Sequence, residues 1–449
     1  MFLSKKHFIG LLLIFINQVA FGQSLQDLWE KTASYYKGFD LKKQQILMAK
    51  QDSLDRLIKY RPQVQVQAQQ GLSSLSGTSG TFLPLPGIVN SNGNANNSDP
   101  IFNHFLSSTL NWDIVNFGKK QLDKEIGRSQ IQQSQTDQQL FEIQIQQKLA
   151  ERYLNYQYLQ VLEDWFNKHN ARYQSILQLT IGLAKAGVKP GADSLLAQSA
   201  LNQVHSNLTL LEGQAEGAKF LLHEFTGETV QESASKNINP FLNLIDHQDL
   251  GVNLHPQLLI KDEEANMLAL QEKKLAKDKL PRIMLLGGLA SRSSTVTSSG
   301  VALTDYGQLY DNFANNYYVG LGLTWSLQDL WQSNSKQRSS QLQQRNVNLE
   351  KELINNELSS QLQNVQAQLH AAVRGIGASN KSRIEAEEAY QLYKARYEGG
   401  LINLSELLQV QDVLLQTEKQ NLNAYMDYWK LYVQLSYHQA DFKTLFHHF

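Results

Sequence analysis

The chain has 449 residues, room for two or three ordinary domains, but only 18% of them are charged and the net charge is -1. That balance excludes a nucleic-acid binder working through bulk electrostatics, and the lack of cysteine excludes disulfides, thiolate zinc sites and a lipid-modified N-terminal cysteine. The mean hydropathy of -0.39 therefore comes from uncharged polar side chains, among them about fifty glutamines.

Lys5 and Lys6 precede an apolar run from Phe8 to Ile16, and Ala20 and Gly22 stand before Gln23, the pattern of a cleaved secretory signal. Cleavage is expected after Gly22. The run is far short of the ~20 residues of a membrane helix, and no later window is apolar enough to be one, so a membrane crossing would need strands. A helix is expected near Leu25 to Tyr60. The next stretch, RPQVQVQAQQG, alternates Val64, Val66 and Ala68 with Gln63, Gln65, Gln67 and Gln69, which is a strand with one apolar and one uncharged polar face. A loop rich in Ser, Gly and Asn follows. In FNHFLSSTLNW, Phe102, Leu106, Leu110 and Trp112 share one parity, while Asn103, Ser107, Thr109 and Asn111 share the other.

From Phe117 to Lys185 there is no proline, and a helix of that length would reach ~100 Å. Helices so long need lateral support. Ala197, Leu201, Val204, Leu208 and Leu211, and later Leu358, Leu362, Val365 and Leu369, follow the 4-3 spacing of coiled-coil seams, with Gln, Asn and Ser over the remaining surface.

The second half repeats the first. LPRIMLLGGLA places Pro281 against Pro62, with Ile283, Leu285 and Leu289 on the apolar parity and Arg282, Met284 and Leu286 on the other. In NNYYVGLGLTW, Tyr317, Val319, Leu321, Leu323 and Trp325 share a parity. Trp112 and Trp325 are 213 residues apart, and so are Gly187 and Gly400; equal offsets at two landmarks indicate a structural duplication. The expected organisation is a signal peptide over 1–22 and a first repeat over 23–254, with strands ~62–72 and ~102–115, a long helix ~117–185, a helix ~191–225 and an equatorial segment ~226–254. The second repeat, 255–449, has a helix ~255–280, strands ~281–291 and ~315–325, a long helix ~327–398 and a helix ~403–437. Four strands cannot close a barrel, and an open sheet edge is not tolerated in lipid, so several chains would have to share one barrel.

Motifs of catalysis are missing: there is no HExxH, no G-x-S-x-G, no Walker loop and no dinucleotide fingerprint. An enzyme, a cofactor and a metal site are therefore not expected; His447 and His448 adjoin only at the C-terminus. An exported chain with this organisation could be a membrane channel sharing a barrel between copies, a periplasmic coiled-coil adaptor or fibrous scaffold, or a secreted adhesin. Strands with an apolar outer parity flanked by aromatics favour the channel, since an adaptor's strands would pack into a closed sandwich.

Duplicated strand-loop-strand-long-helix units behind a signal peptide resemble the TolC family, the outer-membrane factors of efflux and type I secretion systems (outer membrane efflux protein family). The resemblance is carried by Pro62 and Pro281, by the junctions NWDIVNFG and TWSLQDLW, and by RYEGGLINLSELL from Arg396 to Leu408. It implies a mainly α fold with a small β part: a homotrimer in the outer membrane of a Gram-negative bacterium, with a 12-stranded barrel continued by an α-helical tunnel that puts most of the mass in the periplasm. It implies a passive conduit for solutes arriving from an inner-membrane transporter of the RND or ABC type through a periplasmic adaptor. The second junction departs from the usual glycine pair, having Leu330 and Trp331.

The resemblance also assigns residues. Asp193 and Tyr397 fall at latch positions, Ile402 stands where some relatives carry a latch arginine, Glu406 matches a first acidic ring and Gln409 replaces the second acid. Gly187, Val188, Gly399, Gly400 and Leu401 would form the adaptor-docking tips. Gln63, Gln65, Gln67 and Gln69 would line the pore, and Trp112, Tyr317 and Trp325, with Tyr318, are candidates for the membrane-interface belt. Bland alternatives exist for each: Asn403 and Glu406 read as a capping box, Asp193 as a carboxylate in a first helical turn, the glycines as left-handed turn residues, and the aromatics as ordinary packing.

Overall fold

Ser24 and Asp27 begin the fold with a reciprocal cap. The Asp27 N–H donates to Ser24 Oγ at 3.0 Å and the Ser24 N–H to Asp27 Oδ2 at 3.1 Å, which satisfies two donors at the start of a helix. The computed structural model describes residues 24–73, 101–228, 239–245, 254–295, 303, 305–311 and 313–449; the expected cleavage site at Gly22 lies outside them. In order come α1 (Leu25–Tyr35), α2 (Lys37–Ile58), β1 (Gln63–Ser73), β2 (Ile101–Val115), α3 (Lys119–Lys185), α4 (Ala192–Thr226) and α5 (Asn239–Leu242). They are followed by α6 (Pro256–Lys277), β3 (Arg282–Ser294), a 3-10 turn (Tyr306–Leu309), β4 (Phe313–Thr324), α7 (Gln328–Glu398), α8 (Leu404–His438) and α9 (Lys443–His448).

The N-terminal helix expected as one piece is broken at Tyr36, which is extended at φ -67°, ψ 115°. Packing sets the break. The Tyr36 ring stacks on Phe141 and meets Phe225 edge-on at 5.2 Å. A Cβ on Gly38 would come within 2.4 Å of the Phe141 ring, so the chain can pass here only as glycine.

Two compact units form. The first takes the described parts of Met1–Asp40, Gln139–His255 and Asn356–Phe449; the second takes those of Leu41–Gln138 and Pro256–Asn355. Each unit therefore draws on both sequence repeats. In the first unit, α1, α3, α4, α7 and α8 enclose an aromatic-rich core that includes Trp429, Tyr428, Phe225 and Phe241, all essentially without solvent contact. The Trp429 indole N–H donates to the Phe241 carbonyl at 2.7 Å, which ties α8 to α5. The start of α1 meets the C-terminal residue where the Leu25 N–H donates to the Phe449 carbonyl. Leu362, Val365 and Leu369 on α7 and Ala197, Leu201, Val204 and Leu211 on α4 are buried, so the 4-3 spacing does mark the packed stripes.

The second unit holds a four-stranded antiparallel sheet in the order β1-β2-β3-β4, which leaves β1 and β4 as open edges. Below it, the Asp123 carboxylate is wholly buried between Lys59 at 2.7 Å, Lys274 at 2.6 Å and the Tyr60 hydroxyl at 2.5 Å. Burial alone would raise its pKa, but the hydrogen bonds from Lys274, Lys59 and Tyr60 outweigh it and hold the carboxyl below its usual range.

The two strand-to-helix junctions are built differently. At the first, Phe117 (φ 47°) and Gly118 (φ 84°) are left-handed, and α3 starts at Lys119. At the second, Leu330 and Trp331 stand at the matching positions, and α7 is already helical from Gln328, about one turn earlier in repeat terms. Trp331 would be strained where Gly118 is not, so the helix absorbs those residues.

Candidate functional site: the helical tips and the sheet face

Both turns that end the long helices have the same hydrogen bonds. After α3 the Gly187 N–H donates to the Ala184 carbonyl at 3.1 Å and the Val188 N–H to Leu183 at 3.0 Å. After α7 the Gly400 N–H donates to Tyr397 at 3.0 Å and the Leu401 N–H to Arg396 at 2.9 Å. This paired 5→2 and 6→1 arrangement requires a left-handed residue at the turn, supplied by Gly187 at φ 72° and Gly400 at φ 71°. Gly399 does not share that role: its φ is not positive, so its expected left-handed conformation is corrected to an ordinary helix-terminal one. Val188 and Leu401 are left exposed, Leu401 at 74%, as two apolar knobs.

Behind the knobs the two tips are tied together. The Tyr397 hydroxyl, on a side chain with no solvent exposure, donates to Asp193 Oδ2 at 3.1 Å. Burial and the Asp193 carboxylate push its pKa well above the usual phenol range, so it remains a donor at any physiological pH. Lys189 adds a second tie, its Nζ donating to the Ile402 carbonyl at 2.8 Å while lying 5.5 Å from the centre of the Tyr397 ring. The Ile402 side chain is buried and supplies no charge. Asn403 caps α8 by accepting the Glu406 N–H at 2.9 Å, and the Glu406 carboxylate and Gln409 are exposed.

Further along the same unit, α3 and α8 are cross-linked by buried polar pairs. Glu418 accepts the Trp165 indole N–H at 2.8 Å and two N–H groups of Arg172, at 3.1 and 2.5 Å. The Tyr173 hydroxyl donates to Asp412 at 3.2 Å. His169, 1% exposed, lies 3.2 Å from Gln411 and stacks on Trp165; burial, with a smaller contribution from Arg172, lowers its pKa to about 4.

The sheet of the second unit has two unlike faces, because directly opposed residues of antiparallel strands point the same way. One face carries the rows Val64–Leu110–Gly287–Val319 and Val66–Ser108–Leu289–Tyr317; the other carries Gln65–Thr109–Gly288–Tyr318 and Gln67–Ser107–Ala290–Asn316. The apolar face is exposed to solvent in the single chain, with Val66 at 69%, Leu289 at 65% and Tyr317 at 84% exposure. A face so apolar and so exposed in one chain needs a non-aqueous neighbour. Trp112 and Trp325 occupy repeat-equivalent places, their indole N–H groups donating to the carbonyls of Tyr60 and Lys279 at 3.1 and 3.0 Å. No described helix is long and apolar enough to cross a membrane.

With this geometry, the chain's likenesses become specific. The family described as Outer membrane efflux protein matches residues 269–436, from within α6 to near the end of α8. The second repeat belongs to the outer membrane efflux protein family. The first repeat follows the second at the 213-residue offset, and the whole chain has the TolC-like fold. Its structure is similar to CusC (TM-score 0.75, 13% identity, 93% of this chain and 92% of that one). It is also similar to VceC from Vibrio cholerae (0.70, 14%, 93% and 96%) and to the open state of the Neisseria gonorrhoeae channel MtrE (0.68, 13%, 93% and 89%). At these identities the likeness is one of fold. No curated relative matches the chain in sequence.

Within this efflux-family fold, the tip brings together Asp193, Tyr397, Gly187 and Gly400, while the four glutamines share one face of the other unit. The sequence reading missed Lys189. A signal was present, since Lys189 is the 213-residue partner of Ile402, the position where a cation was sought. The Arg172–Glu418–Trp165 cluster was also missed, because Glu418 lies 246 residues from Arg172 and 253 from Trp165 and shares no local pattern with them. His448, beside His447, has a ring nitrogen 2.8 Å from the Pro240 carbonyl; among the described residues no group of three or more potential metal ligands is found.

Proposed function

We propose that the chain is the outer-membrane channel of a tripartite efflux or type I secretion system, a homotrimer that passively conducts solutes delivered by an inner-membrane transporter through a periplasmic adaptor. The exposed apolar sheet face with its two open edges carries this reading. Three copies would join β4 of one chain to β1 of the next, closing twelve strands with Val64, Val66, Leu289 and Tyr317 against outer-membrane lipid. Gln63, Gln65, Gln67 and Gln69 would then line the lumen, where amide side chains hold water without imposing a charge on varied solutes. Trp112, Tyr317 and Trp325 would mark the membrane interface.

In the helical tips of the first unit, the exposed knobs Val188 and Leu401, with Gly187, Gly399 and Gly400 behind them, suit docking of the adaptor. The Tyr397–Asp193 and Lys189–Ile402 ties hold the tips in one arrangement, and docking that favours another arrangement would open the path by population shift. Exposed Glu406, once per chain, gives a ring of three carboxylates that attracts cations; Gln409 leaves it a single ring.

Two experiments test this. Membranes washed with carbonate should retain the protein, and unboiled gel samples should migrate as a trimer; a soluble monomer would sink the reading. In reconstituted channels, Glu406→Gln should lower cation selectivity, and unchanged selectivity would leave Glu406 with its place in the first turn of α8 alone.

A further inference from the structure

The base of β3 breaks the uncharged pattern of the glutamine face. Arg282 stands opposite Thr324, on the parity of Met284, and Met284 is opposite Asp113. Beneath it is a pocket of about 340 Å³ whose charged lining is Lys59, Lys119, Lys274 and Arg282 against Asp113 and Asp278. Most of that charge is already committed. Lys119 pairs with Asp278 at 2.8 Å, and Lys59 and Lys274 share the single buried carboxylate of Asp123 behind the wall. Two ammonium groups on one carboxylate leave one positive charge over, which Asp113 offsets, so exposed Arg282, with no ion pair among the described residues, leaves the site with a net single positive charge. The first turn of α3 adds Lys119 and Lys120 and no acid, the reverse of what the helix dipole favours. An arginine fork with its donors free, beside the partly buried ammonium groups of Lys119 and Lys274, suits a carboxylate or phosphate oxygen and repels a cation.

We propose that this pocket is an anion-selective station, binding the carboxylate or phosphate group of a passing solute with Arg282 as the specificity-determining side chain. It rests on the channel reading above, in which the face bearing Arg282 lines the lumen. In each trimer three such stations would ring the base of the barrel, opposite in sign to the Glu406 ring.

The test is the reversal potential of the reconstituted trimer under a potassium chloride gradient at ~0.01 M ionic strength, where screening is weak (Debye length ~30 Å). Inorganic phosphate added to the chloride solution serves as the second probe. Arg282→Gln should shift the potassium-to-chloride permeability ratio toward potassium by at least roughly two-fold, the weight on one ion of a single unit charge ~8 Å from its path in water, to which the opposite effect on the other ion and the three copies add, and should weaken block of the chloride current by phosphate. Arg282→Lys should retain most of both. Thr324→Glu, which places a carboxylate opposite Arg282 without removing it, should shift the ratio in the same direction as Arg282→Gln and serves if that variant fails to assemble. Assembled Arg282→Gln or Thr324→Glu trimers with wild-type reversal potential and wild-type phosphate block, in channels whose selectivity still responds to Glu406→Gln, would overturn the station and leave the channel standing. An assembled wild-type trimer with no conductance would overturn the channel reading and the station with it.

Discussion

Replacing Tyr397 by Phe removes one oxygen from a fully buried ring and leaves its shape unchanged, so no cavity accompanies the loss. What disappears is the 3.1 Å hydrogen bond to Asp193. A bond to a charged acceptor is worth ~1.5–3 kcal/mol net, and because Asp193 is only half-buried the lower figure applies, about 1.5 kcal/mol per chain. If the three tips of a trimer part together, the losses add to about 4.5 kcal/mol, roughly a thousand-fold in the equilibrium between closed and open tips. Lys189 still clasps the Ile402 carbonyl, so the turn itself should persist and the trimer should assemble normally. Single-channel recording of the reconstituted protein measures the open fraction. A Tyr397→Phe trimer whose open fraction stays within about two-fold of wild type would refute the argument that this bond holds the tips.

Three further outcomes follow from the same structure. Glu418→Gln strands the Arg172 guanidinium among α3 and α8 and should cost ~2–3 kcal/mol of stability in chemical denaturation, below the ~3–5 of a wholly buried pair because Arg172 keeps some solvent contact; the double change Arg172→Met with Glu418→Leu should recover only part of it, because the buried Trp165 indole N–H loses its acceptor. His169 has its pKa lowered to about 4 from 6.5, so the unfolded chain takes the proton first. Stability should therefore fall as pH drops from 6.5 toward 4, by up to ~3 kcal/mol, and level off below that; His169→Gln should flatten this part of the melting-temperature profile. Leu289→Arg, on the exposed apolar face, should cost ~2–4 kcal/mol of stability in liposomes, while Gln65→Arg on the opposite face should cost far less; equal costs would reverse the assignment of faces.

What could be read from sequence was whatever repeats at short or fixed intervals. The alternation of Val64 with Gln65 is a period of two, and it placed residues on faces that the register of all four strands reproduces. The 213-residue offset worked because Trp112 and Trp325 donate to equivalent carbonyls, and Gly187 and Gly400 adopt the same left-handed turn. The break at Tyr36 was hidden because Phe141 and Phe225, which enforce it, lie more than a hundred residues away in the chain. Asp193 and Tyr397 came from resemblance to a family, and their hydrogen bond depends on two turns that no local pattern relates. Lys189 is a solvated lysine to any composition rule; only the fold brings its ammonium to a carbonyl that a hydrophobic residue happens to present.

The uncommitted edges of β1 and β4 also bear on how such a protein can be made. Until another chain arrives, each edge presents a row of backbone donors and acceptors beside a bare hydrocarbon face, the combination most prone to sticking to the wrong neighbour. The helical unit carries its own buried core. In the proposed trimer the strands would not reach their final partners before other copies and the bilayer were both at hand, so oligomerisation and membrane entry would be a single late event in the life of the chain.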